Sequence, residues 1–303
     1  MAGSLLTRPG QAQYGDLLLG ADTPYRWRAL TGWEDLPPLD SGSVPRSTAH
    51  GALPGSLLAQ PRTISFDGLV VRAPNSTIGA VVGALNAATV PVEEERPLVV
   101  WLDERGPLLA YARATRRAIP TTLGYALGTI TGGALEFVAS DPLRYELVEQ
   151  IARATLPLDE PGLDWHGETG LDWHSENGRD ASLDFGTPGS TGNLTAYNAG
   201  SAPAHPIVEF RGPVSLPSVT DLATGASLEY DLDLAADDLL SVDTGEGTVT
   251  LNRTASRLHT ATARSMPEQL FALLPGTTDL AFRAAPGSSP AASIAVRWRS
   301  AHW

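Results

Sequence analysis

The sequence predicts a mainly β protein in two parts, an α+β N-terminal domain with one helix followed by a C-terminal β-sandwich. Three observations predict it. Short runs that alternate apolar and polar residues recur along most of the chain, the period of strands buried on one face. One stretch, residues 77–89, instead spaces its apolar side chains for a helix, with Ile78, Val81, Val82 and Leu85 on one face. From residue 206 to the end, strand-like runs follow one another at short intervals between Gly, Pro, Asp and Asn, the pattern of a sandwich.

Taken in order, residues 15–32 (GDLLLGADTPYRWRALTG) read as two short strands. Residues 33–61 carry Pro37, Pro38, Pro45, Pro54 and Pro61 with several glycines, which predicts a long ordered loop or arm. A strand follows at 62–72, kinked at Asp67-Gly68. Asn75-Ser76-Thr77 offers an N-cap for the helix, and Pro91 ends it. Strands at 97–102, 107–117 and 133–139 come next, with Asp103-Glu104-Arg105-Gly106 as a hairpin turn, and a short helix is expected over 144–153. The second half reads as strands at 207–212, 218–224, 227–234, 239–244, 247–253, 271–274, 278–284 and 292–303. The expected domains are an N-terminal β-rich domain over 1–154, a repeat-bearing connector with the first strands of the second domain over 155–206, and a C-terminal sandwich over 207–303.

Composition narrows the function. The 303 residues are 42% apolar and 18% charged, enough to build packed cores in roughly two domains. The net charge is −13, and all 21 basic residues are Arg. That balance argues against specific nucleic-acid binding, because phosphate attraction needs clustered cations. There is no cysteine, so thiol and disulfide chemistry are excluded. The first residues lack a basic stretch followed by a long apolar core, so no signal peptide is expected and synthesis in the cytoplasm is. The most apolar window, 78–92, is interrupted by Asn86 and Pro91, so no membrane insertion is expected. No nucleophile elbow, P-loop or dinucleotide fingerprint is present, and nothing selects a catalytic carboxylate pair. The expectation is a protein that is not an enzyme and has no cofactor.

Two constellations stand out. Gly162-Leu163-Asp164-Trp165-His166 returns eight residues later as Gly170-Leu171-Asp172-Trp173-His174. In an extended chain an even spacing puts Leu163, Trp165, Leu171 and Trp173 on one face, and the acids with His166 and His174 on the other. Strand building is the favoured reading. A metal site and an exposed Trp platform for sugars are the alternatives, the latter making the chain a carbohydrate-binding β-sandwich module. Arg113, Arg116 and Arg117 end a predicted strand near the acidic run Glu93-Glu94-Glu95. In a monomer these are solvated charges, whereas in a ring of identical subunits opposite patches can mate. Asp231, Asp233, Asp237 and Asp238 do not complete a calcium loop and read as outward strand positions and an acidic turn.

The order of several motifs resembles the distal tail proteins (Dit) of long-tailed, siphovirus-like bacteriophages. TGWEDLPPLDSG (31–42), His50-Gly51-Ala52, Pro54-Gly55, Arg62-Thr63-Ile64 and Asp67-Gly68 are similar to their N-terminal domain. NAGSAPAHP (198–206), GPVSLPSVTDLATGASLEYD (212–231), LLSVDTGEGTVTLN (239–252) and LLPGTTDLAFR (273–283) are similar to their C-terminal region. Leu163-Asp-Trp165, Leu171-Asp-Trp173 and Leu183-Asp-Phe185 stand where relatives carry a repeated Leu–aromatic pattern, which implies a sheet-building connector; the histidines depart from that pattern. The resemblance implies a structural virion protein at the tail tip, with a galectin-like C-terminal sandwich. It implies a homohexameric ring joining the tail-tube protein to the tail-associated hub protein, with tape-measure and receptor-binding proteins as further partners.

Overall fold

In the computed structural model, residues 2–158 and 189–303 are described. The chain divides by its internal packing into two units, Met1–Leu147 with Ala301–Trp303, and Val148–Ser300. The protein is mainly β, as the alternation of its sequence predicts.

The first unit is built on one large antiparallel sheet. Its path runs Leu17–Gly20, Gln11–Tyr14, Arg96–Trp101, Pro107–Ala118, Thr129–Ala139, Arg62–Arg72, Tyr25–Arg26, and Ala29–Thr31 adds to Arg62–Arg72. Pro107–Ala118 holds the sheet together. Its first half pairs with Arg96–Trp101, and beyond it the chain pairs with Thr129–Ala139 across an irregularity between Ala114 and Arg116. The halves face each other through aromatic rings: Tyr14 lies 4.7 Å from Phe137, Phe137 5.8 Å from Phe66, and Phe66 5.1 Å from Trp27. Edge-on and tilted ring packing of this kind adds to the burial term.

The helix Ile78–Ala88 forms where its spacing predicts, with Ile78, Val82 and Leu85 buried in this core. Each such aliphatic side chain contributes about 1.5–3 kcal/mol by leaving water. Tyr25 fastens the helix by donating its hydroxyl to the Val81 carbonyl at 2.7 Å. Thr77 occupies the N-cap position, but its hydroxyl donates to the Pro74 carbonyl and caps no helix N–H.

One node of the first unit is built from the TGWED motif. Gly32 has φ +77, and a Cβ there would lie 1.8 Å from the Thr63 carbonyl oxygen, so only glycine brings this turn against the strand. The Asp35 carboxylate accepts the Gly32 N–H at 2.7 Å and holds the turn. Arg62, 1% exposed, then donates to the carbonyls of Gly32 (2.8 Å), Trp33 (3.1 Å), Asp35 (2.6 Å) and Pro142 (2.7 Å). Trp33 is buried beneath the Arg144 guanidinium, 5.7 Å from its ring centre. Glu34 pairs with Arg144 at 2.9 Å and with Arg105 at 3.2 Å. Burial, then the charge of Arg144, pushes the Arg62 guanidinium below its usual pKa, opposed by Glu34, Asp35 and Asp141.

The segment expected as a short helix over 144–153 is two strands. Arg144–Glu146 pairs with Pro107–Ala118 and with Ala301–His302 in the first unit, and Gln150–Thr155 is an edge strand of the second. Helical and extended periods are hard to separate over so short a stretch, and pairing decided it. The final run also breaks. Ser293–Trp298 is one strand and Ala301–His302 another, with Trp298 buried and Trp303 exposed.

The second unit is a sandwich. One sheet has the order Gln150–Thr155, Ser293–Trp298, Ile207–Arg211, Leu239–Asp243, Thr248–Leu251, Ala255–Ser256; the other has Asn193–Asn198, Gly276–Arg283, Ser218–Asp221, Ser227–Glu229. Val208, Phe210, Leu240, Val242, Ile294 and Val296 line the inner face of the first, and Val219, Leu228, Leu280 and Phe282 that of the second, all buried. Phe210 sits 5.9 Å from Phe282 and 6.3 Å from Tyr230. Residues 271–274 form no strand beyond a single bridge at Leu273, because a 3-10 turn at Glu268–Leu270 turns the chain first. The NAG motif is an internal fastening: the buried Asn198 amide donates to the carbonyls of Ala202 (2.8 Å) and Leu273 (3.0 Å) and accepts the Gly200 N–H (3.0 Å).

Two outcomes are expected. Arg62→Ala leaves four carbonyls without their donor and lowers the stability of the first unit by about 3–5 kcal/mol in denaturant unfolding. His302 supplies a pH dependence. Burial holds its imidazole below the usual 6.5, with Arg144 and Arg105 adding to the effect and Glu146 opposing it. The folded state therefore favours the neutral ring: this stability is present above the unfolded value and is lost as pH falls through the folded one. The protection factor of the Ala301–His302 amides, corrected for intrinsic exchange, is expected to fall from about pH 7.5 to about pH 5 more in the parent chain than in His302→Gln.

Candidate functional site

Two surfaces of the first unit present groups that its own core does not use. The first is the proline-rich arm expected over 33–61. Leu39–Asp40 pairs with Leu58–Ala59, and further out Val44–Pro45 pairs with Ala52–Leu53, making a narrow two-stranded ribbon. Prolines limit its pairing to these short ladders. Leu36, Leu39, Val44, Leu53, Leu57 and Leu58 are all exposed along it. A ribbon held by four residue pairs and carrying six exposed aliphatic side chains has no core of its own to bury them, and an apolar concentration of this kind marks an interaction surface.

The second surface is the arginine-bearing end of Pro107–Ala118. The structure separates the three arginines by task. Arg117 donates to the carbonyls of Asn86 and Thr89, both at 3.1 Å, and to the Thr89 hydroxyl at 2.8 Å, so it caps the C-terminal end of the helix, where a cation is favoured. Arg113 and Arg116 stand exposed, and neither makes an ion pair among the described residues. Arg116 is in register with Glu136, whose carboxylate accepts the Thr115 hydroxyl at 3.1 Å. Of the acidic run, Glu93 and Glu94 are exposed, and Glu95 accepts the Ser140 N–H at 2.7 Å. Arginines and glutamates without an ion-pair partner among the described residues thus coexist on this unit.

The repeat with Trp165, His166, Trp173 and His174 lies outside the described residues. Among the described residues, no group of three or more His, Asp or Glu side chains is placed to hold a metal ion. Asp238 closes an acidic turn, accepting the Ala235 N–H at 2.9 Å and the Asn252 amide at 2.8 Å, and those two bonds hold its carboxyl below the usual carboxylate range. Among the described residues no helix is long and apolar enough to cross a membrane. Sequence reasoning named the arm as a segment but none of its leucines as functional. The available signal was the conjunction of repeated prolines, which forbid a broad sheet, with leucines that then have nowhere to pack.

Residues 199–302 match the family model described as the siphovirus-type tail component, C-terminal domain. The fold is similar to that of SPP1 Dit (gp 19.1), described as a paradigm of the hub adsorption apparatus in phages infecting Gram-positive bacteria, at 13% identity and a TM-score of 0.62, covering 95% of this chain and 98% of that one. It is also similar to a chain of the phage P2 baseplate in its activated conformation with Ca, and to one of the same baseplate with Sr, each at 10% identity, a TM-score of 0.47, and 95% and 97% coverage. No curated protein matches the chain. The resemblance to distal tail proteins read from the sequence is borne out by the tail-component domain and by the fold.

The division of labour among the arginines is testable. Arg117→Ala is expected to fray the helix and lower stability by about 0.5–1 kcal/mol. Arg113→Ala and Arg116→Ala are expected to leave thermal unfolding within about 0.5 kcal/mol of the parent, as exposed unpaired charges do.

Proposed function

We propose that the chain is the distal tail protein of a siphovirus-type tail tip, a structural and not a catalytic protein of the virion. It closes into a hexameric ring that joins the tail-tube protein above to the tail-associated hub protein below, beside the tape-measure protein, and its second unit docks receptor-binding proteins. The observation that carries this reading is the tail-component domain at residues 199–302. The fold of SPP1 Dit over 95% of the chain supports it.

The first unit supplies what a ring of identical subunits needs. A heterologous interface closes when a surface on one side of the subunit meets a different surface on the other. The arm offers exposed aliphatic side chains, and Arg113 and Arg116, like the exposed Glu93 and Glu94, make no ion pair among the described residues. The net charge of −13 also suits a channel that passes DNA without holding it, because like charges repel.

The test is the mass of the purified chain by light scattering at two concentrations and two salt levels. A species near six times the 31.9 kDa chain is expected, weakened by high salt and by the double change Arg113→Glu with Arg116→Glu. A monomer at every condition, with no association on mixing with the tail-tube protein, overturns the ring.

A further inference from the structure

Three arginines of the first unit share one end of the sheet's outer face. Arg26 is in register with Val70, and Tyr25 beside it with Val71; Tyr25 and Val71 are buried, so Arg26 and Val70 point outward together. Arg72, two residues beyond Val70, has the same face and is in register with Thr129. Arg28 reaches this face across a glycine. Gly68 has φ +62, and a Cβ there would lie 2.9 Å from the Arg28 stem, so the kink at Asp67-Gly68 lets that stem lie over the strand. Beside it is a hollow of about 340 Å³, lined by Arg28, Gly68, Val70, Thr131 and Gly132. The register of Thr129–Ala139 against Arg62–Arg72 passes from Ile130 to Gly133 there, and the bulge opens the surface.

These cations are unused. All three are exposed, and none makes an ion pair or a side-chain hydrogen bond among the described residues. The acids of the adjoining turns are engaged elsewhere: Asp22 pairs with Arg8, and Asp67 accepts the Thr31 hydroxyl at 3.4 Å. On a chain of net charge −13, three such guanidiniums around one hollow reverse the local sign. Their planar forks suit carboxylates, which they grip through paired hydrogen bonds.

The complementary acids lie on the same unit, at the other end of the same strands. Glu95 accepts the Ser140 N–H at 2.7 Å, one residue past Ala139, which is in register with Arg62. Glu93 and Glu94 precede it and are exposed. Arg72 is at the opposite end of Arg62–Arg72, whose 11 residues span roughly 33 Å at about 3.3 Å each. That separation exceeds a Debye length of ~8 Å several times over, so the two groups cannot serve each other within one chain. Between two copies they can. Opposite signs at opposite ends of one sheet favour a head-to-tail contact, the kind that repeats from copy to copy.

We propose that the hollow at Arg26, Arg28 and Arg72 receives the Glu93 and Glu94 carboxylates of a neighbouring copy of this chain. It rests on the ring reading only for the number of copies; the contact itself needs two.

The experiment exchanges charges in the full chain and reads mass by light scattering against concentration. Arg26→Glu with Arg28→Glu and Arg72→Glu is expected to raise the concentration of half-association at least roughly tenfold, and so is Glu93→Arg with Glu94→Arg; high salt narrows both effects. Mixing the two variants in equal amounts, or placing both sets in one chain, is expected to restore association, because each contact again joins opposite signs. Arg153→Glu with Arg211→Glu and Arg253→Glu makes the first set's change of net charge at exposed arginines of the second unit, and is expected to shift association about twofold or less. Unchanged melting of each variant separates loss of the contact from loss of fold. Association indifferent to both exchanges, no rescue in the mixture, or a monomer up to ~1 mM overturns the proposal. So does retention of duplex DNA that needs the three arginines while self-association does not. A hexamer that ignores the exchanges keeps the ring and overturns this contact; a dimer or open chain that obeys them does the reverse.

Discussion

The first unit depends on one buried cation. Arg62 lies among apolar side chains with its charge taken up by four backbone carbonyls, from the Gly32–Asp35 turn and from Pro142. A guanidinium suits this because its planar fork reaches several acceptors at once, which an ammonium on a flexible stem cannot do. The consequence is positional. The Gly32–Asp35 turn is held against Arg62–Arg72, and Trp33 is thereby placed under Arg144. Arg144 in turn meets Glu34 and the Trp303 carbonyl, so the short strand Ala301–His302 finds its place beside Arg144–Glu146. The arm leaves this region directly after Asp35, and a projecting ribbon with no core of its own requires a rigid base.

The two units handle unused surface differently. In the first, exposed aliphatic side chains lie along a thin ribbon, where they meet a partner by being laid against it. In the second, Leu270 and Leu274 stand exposed beside the buried Phe271 and Leu273. Exposed aliphatic side chains of this kind are what an assembly of neighbouring subunits uses, which fits the structural role proposed above.

Much of this was legible in the sequence. Period-two alternation marked Arg62–Arg72, Ile207–Arg211 and Leu239–Asp243, because one buried face leaves that trace. The helix announced itself through Ile78, Val82 and Leu85, and the prolines of residues 33–61 marked an arm. The motifs that carried the family resemblance, TGWED and NAG, are also the ones with the most specific packing: a left-handed glycine against a strand, and an asparagine whose side chain serves three backbone groups. Backbone requirements of that kind admit few residue types, so they show in the sequence.

The sequence by itself determined the β class, the single long helix, the sandwich and the acidic character, because local period and composition suffice for these. Only the tertiary structure decided what depends on distant partners. It made strands of residues 144–155, where pairing with Pro107–Ala118 and Ser293–Trp298 outweighed any helical preference. It set Arg117 to capping a helix from 28 residues away while leaving Arg113 and Arg116 to solvent. It left Leu274, within the strand expected over 271–274, exposed, because the 3-10 turn at Glu268–Leu270 turns the chain before any ladder forms. A side chain's period tells which residues share a face, but only the packed chain decides whether anything covers that face.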